Sequence, residues 1–220
     1  MEGPLVSVIV PLYNQESYIK ETLNSLVRQS HSHWEALVID DGSTDQSYQK
    51  ALEVVDPRIR LVRQENQGVS AARNAGLELS KGQYFCFLDA DDVFPPESIS
   101  SRVALFEQNP TLAFVDGKVE IGNADLSEII GAWQPNFQGT PLSELCALTG
   151  TCFMGNSWMF KRPADYSIRF HPQLKQGEDL WFCIQNALAG GEYGYTNETI
   201  LSYRRGNSSA STNLVGLHQS

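Results

Sequence analysis

The sequence predicts an α/β fold, a mostly parallel sheet flanked by helices on both faces, followed by a smaller C-terminal region. Three observations carry this expectation. Short apolar runs rich in Val, Ile and Phe alternate with segments of helical periodicity. The 220 residues suffice to bury one large core without disulfide or metal staples. Acidic residues gather where the apolar runs end, the edge at which such sheets bind ligands.

Leu5 to Leu12 is a nearly unbroken apolar run closed by Pro11, the pattern of a strand covered on both faces. From Glu16 to Gln29, Ile19, Leu23, Leu26 and Val27 fall at i, i+4, i+7 and i+8, one face of an amphipathic helix. Trp34 to Asp40 reads as the second strand. The Ser43 to Gln46 spacing is that of a capping box opening the next helix, and Ile59 to Arg63 is the third strand. Val69, Ala72, Gly76 and Leu79 then mark a helix face, with Arg73 on a different side, and Tyr84 to Leu88 is a fourth buried strand. Beyond Pro95 a helix to Gln108 and a strand at Leu112 to Val115 are expected. Glu120 to Gly139 reads as irregular. Helical spacing returns at Glu178 to Ala189, a short strand at Ile200 to Tyr203, and a mobile tail from Gly206 to Ser220.

Composition narrows the function classes. With 41% hydrophobic and 19% charged residues the chain is an ordinary folded domain. A net charge of −10, from 16 Lys+Arg against 26 Asp+Glu, works against binding to nucleic acid or anionic lipid. Cys86, Cys146, Cys152 and Cys183 form no CxxC pair and read as reduced, buried thiols. His31, His33 and His171 read as solvated. No signal peptide is evident, and no apolar run approaches the roughly 18 residues of a spanning helix. The expectation is a cytoplasmic protein, or one at the inner face of the membrane in peripheral contact.

Four groups of residues could carry chemistry. Asp89-Ala90-Asp91 ends a buried strand, where two carboxylates at i and i+2 can converge on one cation, and hard oxygen ligands suit Mg²⁺ or Mn²⁺. A solvated acidic turn before Pro95-Pro96 is the plainer alternative. Asp40-Asp41-Gly42-Ser43 ends the second strand, where two adjacent acids repel unless something compensates. Arg73, near these acids, suits a diphosphate. Glu178-Asp179 opens the late helix, either as acids favoured by the helix dipole or as the source of a general base. GxGxxG after a strand, GxxxxGK[ST] and HExxH are absent from the sequence.

These residues resemble the inverting family 2 glycosyltransferases of the GT-A fold, a Rossmann-like architecture. VSVIVPLYNQE, VIDDGSTD, ENQGVSAARNAG and YFCFLDADDVFPP match in order over residues 5–117, and the resemblance resumes with NSWMFKR, GEDLWF and LSYRR. It implies a nucleotide-sugar-binding half at 1–117 and an acceptor-side half bearing the base at 118–205. It also implies transfer of a sugar, with inversion, from a nucleoside-diphosphate donor, often UDP, to a glycan or lipid-linked acceptor hydroxyl. Carried over, Pro11, Tyr13 and Glu16 frame the base, Asp41 hydrogen-bonds it and Arg73 faces the diphosphate. Asp89 contacts the ribose or the metal, Asp91 holds Mg²⁺ or Mn²⁺, and Asp179 is the general base.

One departure stands out. The family often carries a metal-reaching His after its Tyr-Arg, where this chain has Gly206, and His218 is the substitute within the tail. Two other readings compete. A haloacid-dehalogenase-type phosphotransferase also ends an apolar strand in DxD, but it expects Thr where Val93 stands. A non-catalytic sugar-nucleotide-binding module, or a synthase fragment inactive alone, would bind donor without transferring sugar. Trp133, Trp158 and Trp181 could stack on sugar rings, but core packing explains them as well.

Overall fold

The computed structural model describes residues 3–205, so the expected tail, with Gly206 and His218, lies outside the described residues. The N-terminal half repeats strand and helix: β1 Val6–Leu12, α1 Ile19–Val27, β2 Trp34–Asp41, α2 Ser47–Leu52, β3 Ile59–Gln64, α3 Val69–Leu79, β4 Tyr84–Phe87 and α4 Ser98–Gln108. The C-terminal half adds β5 Leu112–Gly122, β6 Ile129–Trp133, α5 Leu142–Ala147, β7 Met159–Lys161, α6 Glu178–Ala189 and β8 Glu192–Arg204. They form one sheet in the order β3-β2-β1-β4-β7-β5-β6, with β8 beside β5. β1, β2, β3 and β4 pair in parallel, as do β5 and β8, whereas β7 runs antiparallel to β4 and β5, and β6 antiparallel to β5.

Strand alternation divides the core. Val6, Val8, Val10 and Leu12 of β1 face one way, onto Ile19, Leu23 and Leu26 of α1 and Ile99, Val103 and Phe106 of α4. Ile9 faces the other way, into a layer built from Phe85, Phe87, Phe160, Phe170 and Phe182. In that layer Phe170 and Phe182 stack with centroids 4.1 Å apart. Gly76 brings α3 close to β1, where a Cβ would run into the Ile9 side chain.

Several sequence expectations are corrected. The segment read as irregular continues β5 and turns into β6; Asp125 accepts from the Ser127 N–H at 3.1 Å within that turn. β7 and α5 were not expected, and β8 is 13 residues long rather than four. The Ser43–Gln46 capping box does not form: α2 starts at Ser47, whose N–H goes to Asp45 Oδ1, while Ser43 Oγ accepts from Asn14. Val27 and Val69 turn outward, the latter 41% exposed. Three of the four thiols are free and buried; Cys146 is free but exposed. Burial pushes Cys152 up to about 12, so that thiol stays unreactive.

Replacing Gly76 with Ala tests the α3–β1 contact. Overpacking against Ile9 outweighs the gain in helix propensity, so urea unfolding should report a loss of about 1–3 kcal/mol.

Candidate active site

From β1 the chain builds outward to β2 and β3, then crosses back to lay β4 on the other side of β1. Such a reversal opens a crevice at the carboxyl ends of the two flanking strands. Tyr13, 47% exposed, leaves β1 there, and Asp89 follows β4. Pro11 is half-buried within β1 opposite Ile39. Glu16 closes a latch between the loops after β1 and β2: its N–H donates to Asp45 Oδ2 at 3.2 Å, and its Oε2 accepts from the Gln46 N–H at 2.9 Å. Asn14, left-handed at φ 51°, adds a bond from the Thr44 N–H to its Oδ1.

The adjacent acids at the end of β2 point to opposite faces and are compensated separately. Asp40, fully buried, pairs with Arg63 at 3.1 Å. Asp41 accepts from Gln64 Nε2 at 2.7 Å, the Gln67 N–H at 2.9 Å and the Gly68 N–H at 2.8 Å. Three of its roughly four lone-pair positions are therefore used, one on the end of β3 and two in fixing the start of α3. Gly42 (φ 73°) makes the turn possible, since a Cβ would lie 2.9 Å from the Asn66 nitrogen.

Arg73 of α3 gathers the remaining acids. Its Nη2 donates to Asp89 at 3.0 Å, and its Nη1 reaches Asp179 at 2.5 Å and Glu178 at 3.4 Å. Its guanidinium also lies 5.2 Å from the Phe170 ring centroid. Burial alone would lower the Arg73 pKa, but Asp179, Asp89 and Glu178 outweigh it and raise it further, so the cation is permanent. Asn74 holds the facing segment, exchanging hydrogen bonds with both the C=O and the N–H of Phe170 at 2.9 and 2.8 Å. Asp179 lies in the first turn of α6 with its side chain 24% exposed. Burial raises its carboxyl against the pull of Arg73, Glu178 and Asp89 add to the rise, and it comes to rest at about 6. That is close to the pH at which a carboxylate serves as a base.

Asp89 is 40% exposed by side chain, and Asp91 is buried in the same loop. Burial, with the charges of Asp91 and Asp89, pushes the neighbouring Asp92 well above the usual carboxylate range. Among the described residues no group of three or more His, Cys, Asp or Glu is placed to hold a metal ion. Two hard carboxylates fit Mg²⁺ or Mn²⁺ bound in the way those ions often are, by one or two side chains with water and phosphate oxygens completing the shell. The aromatics divide: Trp158 is core, Trp133 donates to the Gly150 C=O at 2.9 Å, and Trp181 is exposed on α6.

The sequence profile of Glycosyl transferase family 2 matches residues 7–169. The chain belongs to that family. The match settles the question against the haloacid-dehalogenase class. Among curated relatives, a Bacillus subtilis protein described as a teichuronic acid biosynthesis glycosyltransferase, TuaG, is 32% identical over 231 residues, covering 96% of this chain and 82% of its own length. The Escherichia coli UDP-Glc:α-D-GlcNAc-diphosphoundecaprenol β-1,3-glucosyltransferase WfgD is 36% identical over 124 residues, 56% of this chain and 49% of the relative. The chain thus spans most of one relative and about half of the other. Among solved structures, Staphylococcus aureus TarS 1–349 in complex with UDP-GlcNAc superposes with a TM-score of 0.79 at 21% identity, covering 94% of this chain and 60% of that one. A Pyrobaculum calidifontis mannosyltransferase in complex with GDP-Man and Mn²⁺ gives 0.69 at 21% identity, covering 94% and 59%. Both share the GT-A architecture. Among the described residues no helix is long and apolar enough to cross a membrane.

The sequence reading missed Glu178 as a direct partner of Arg73, and it missed Arg204, whose guanidinium Nε donates to the Asp91 C=O at 2.5 Å. The motifs LSYRR and GEDLWF were the only signals for them.

The raised Asp179 pKa carries a stability consequence. Between its ordinary 3.8 and about 6 the folded state holds the proton more tightly than the unfolded chain. The resulting stabilisation is complete below the lower value and lost as pH rises through the upper one. Asp179→Asn should therefore be more stable than wild type at neutral pH, by roughly 1–3 kcal/mol. Urea unfolding at about pH 4 should show that advantage gone.

Proposed function

We propose that the protein transfers a hexosyl unit from a nucleoside-diphosphate sugar, UDP-linked, to a hydroxyl of a glycan or lipid-linked sugar acceptor, with inversion at the anomeric carbon. The observation that carries this reading is the meeting of Asp89, Arg73 and Asp179 at the carboxyl end of the parallel strands. A donor-side acid, a permanent cation and a carboxylate that titrates at about 6 then share one crevice. TarS in complex with UDP-GlcNAc supports the choice of nucleotide, and the lipid-linked acceptor in the name of WfgD supports the acceptor class.

Residues 1–117 hold the donor. Tyr13, beside Pro11 and Glu16, presents an exposed ring to the nucleobase. The lone-pair position left on Asp41 matches the single imide N–H of uracil. Asp89 and Asp91 would hold Mg²⁺ or Mn²⁺, which would supply positive charge to the diphosphate. Residues 118–205 hold the acceptor. The Asp179 carboxylate takes the proton of the acceptor hydroxyl while its oxygen forms the new bond to the anomeric carbon. The bond to the diphosphate oxygen breaks on the opposite side, its electron pair leaving with the nucleoside diphosphate. The Arg73 guanidinium faces that developing charge. Such a protein works where nucleotide sugars are made, in the cytoplasm or at the inner face of the membrane, within polysaccharide biosynthesis.

Thermal stability with UDP, GDP, TDP and CDP, each with and without Mn²⁺, tests the donor site before any acceptor is known. UDP should raise the melting temperature in a metal-dependent manner that Asp91→Ala abolishes; no shift with any nucleotide would sink the reading. Once an acceptor is in hand, kcat/KM should rise with pH through about 6 as Asp179 ionises. Asp179→Asn should lower kcat by roughly 10²–10⁴-fold while leaving nucleotide binding intact.

A further inference from the structure

We propose that Arg204, the penultimate described residue, is a positioning residue for the Asp89–Asp91 loop, setting where the cation-holding carboxylates sit. The inference rests on the reading of Asp89 and Asp91 as metal ligands. Arg204 ends β8 and is almost wholly buried. Its Nε donates to the Asp91 C=O at 2.5 Å, its Nη1 to the Ala124 C=O at 2.9 Å, and its Nη2 to Glu21 of α1. Its backbone N–H donates to Asp92 Oδ1 at 2.9 Å, and its guanidinium lies 4.9 Å from the Tyr18 ring centroid. Two residues earlier, Ser202 and Val93 exchange backbone hydrogen bonds at 2.8 and 3.1 Å.

The loop is therefore held from below by the end of β8, with bonds to its backbone as well as to a side chain. A bond to a main-chain carbonyl fixes the direction of the peptide, and with it the exit vector of the Asp91 side chain. Neighbours that orient ligands in this way typically carry a tenfold to hundredfold effect on metal affinity. Lys cannot substitute, since a single ammonium on a flexible stem cannot reach Asp91, Ala124 and Glu21 together.

The test is calorimetric titration of UDP in MnCl₂ and in EDTA for wild type, Arg204→Lys and Glu21→Ala, with circular dichroism confirming the fold. Glu21 is 49% exposed by side chain, so its variant keeps the fold even where Arg204→Lys fails to. The affinity gain from Mn²⁺ should fall about tenfold in Arg204→Lys and less in Glu21→Ala, with EDTA affinities unchanged. A full Mn²⁺ gain in both variants, or equal losses with and without Mn²⁺, would reduce Arg204 to a structural residue and overturn the proposal. Metal-independent binding by wild type would overturn the metal reading, and this role with it.

Discussion

The geometry of this protein depends on one buried cation. Arg73 pairs with Asp89 on the strand side and with Glu178 and Asp179 on a helix about a hundred residues further along the chain. Without it three carboxylates would face one another in a partly dehydrated crevice, an arrangement that persists only by protonation or by opening. The surroundings place that guanidinium. Asp41 accepts two N–H groups at the start of α3, Gly76 seats the helix against β1, and Asn74, adjacent to Arg73, ties down the segment leading to α6. The N-terminal strands thus supply a platform and the C-terminal half brings acids to it.

A second buried charge organises the half in which parallel pairing gives way. Asp116 in β5 accepts from the Gly117 N–H at 2.8 Å and from the hydroxyls of Ser157 and Tyr193 at 3.0 Å each. Burial pushes its carboxyl up to about 7, against these bonds and the nearby Arg102. The arrangement joins β5, the segment before β7 and β8 at one point. That polar anchor sits where β7, at three residues, has too little ladder to set its own register.

The regular half of the fold was legible because β1, β2 and β4 are covered on both faces and read as apolar runs, while the edge strand β3 was placed by its position in the alternation of strands and helices. The C-terminal half was not, for reasons visible in particular residues. Ile129 and Ile130 lie on an edge strand and are both about half exposed, so no inward-outward alternation marks β6. In β8, Gly194, Thr196 and Asn197 interrupt any apolar run, and its pairing with β5 shifts register repeatedly. At the site, residue type at a strand end pointed to Asp89 and Asp91, and at helix openings to Arg73 and Asp179, and the structure brings Arg73 together with Asp89 and Asp179. Their partnerships were not legible. Two of the three donors to Asp41 are backbone N–H groups, and two of the groups Arg204 bonds are backbone carbonyls, which every residue carries and no motif can advertise.

Strand polarity has a practical corollary. Because β1 starts at the amino ends of the parallel strands, Gly3 lies at the end of the sheet opposite the crevice, whereas β8 delivers Arg204 to the Asp91 C=O of the acidic loop. A purification tag, surface tether or fluorescent reporter joined before residue 3 would hang clear of the crevice mouth. The same appendage placed just after residue 205 would start one residue beyond Arg204, whose Nε bonds to the Asp91 C=O, and would load the strand end that holds the acidic loop.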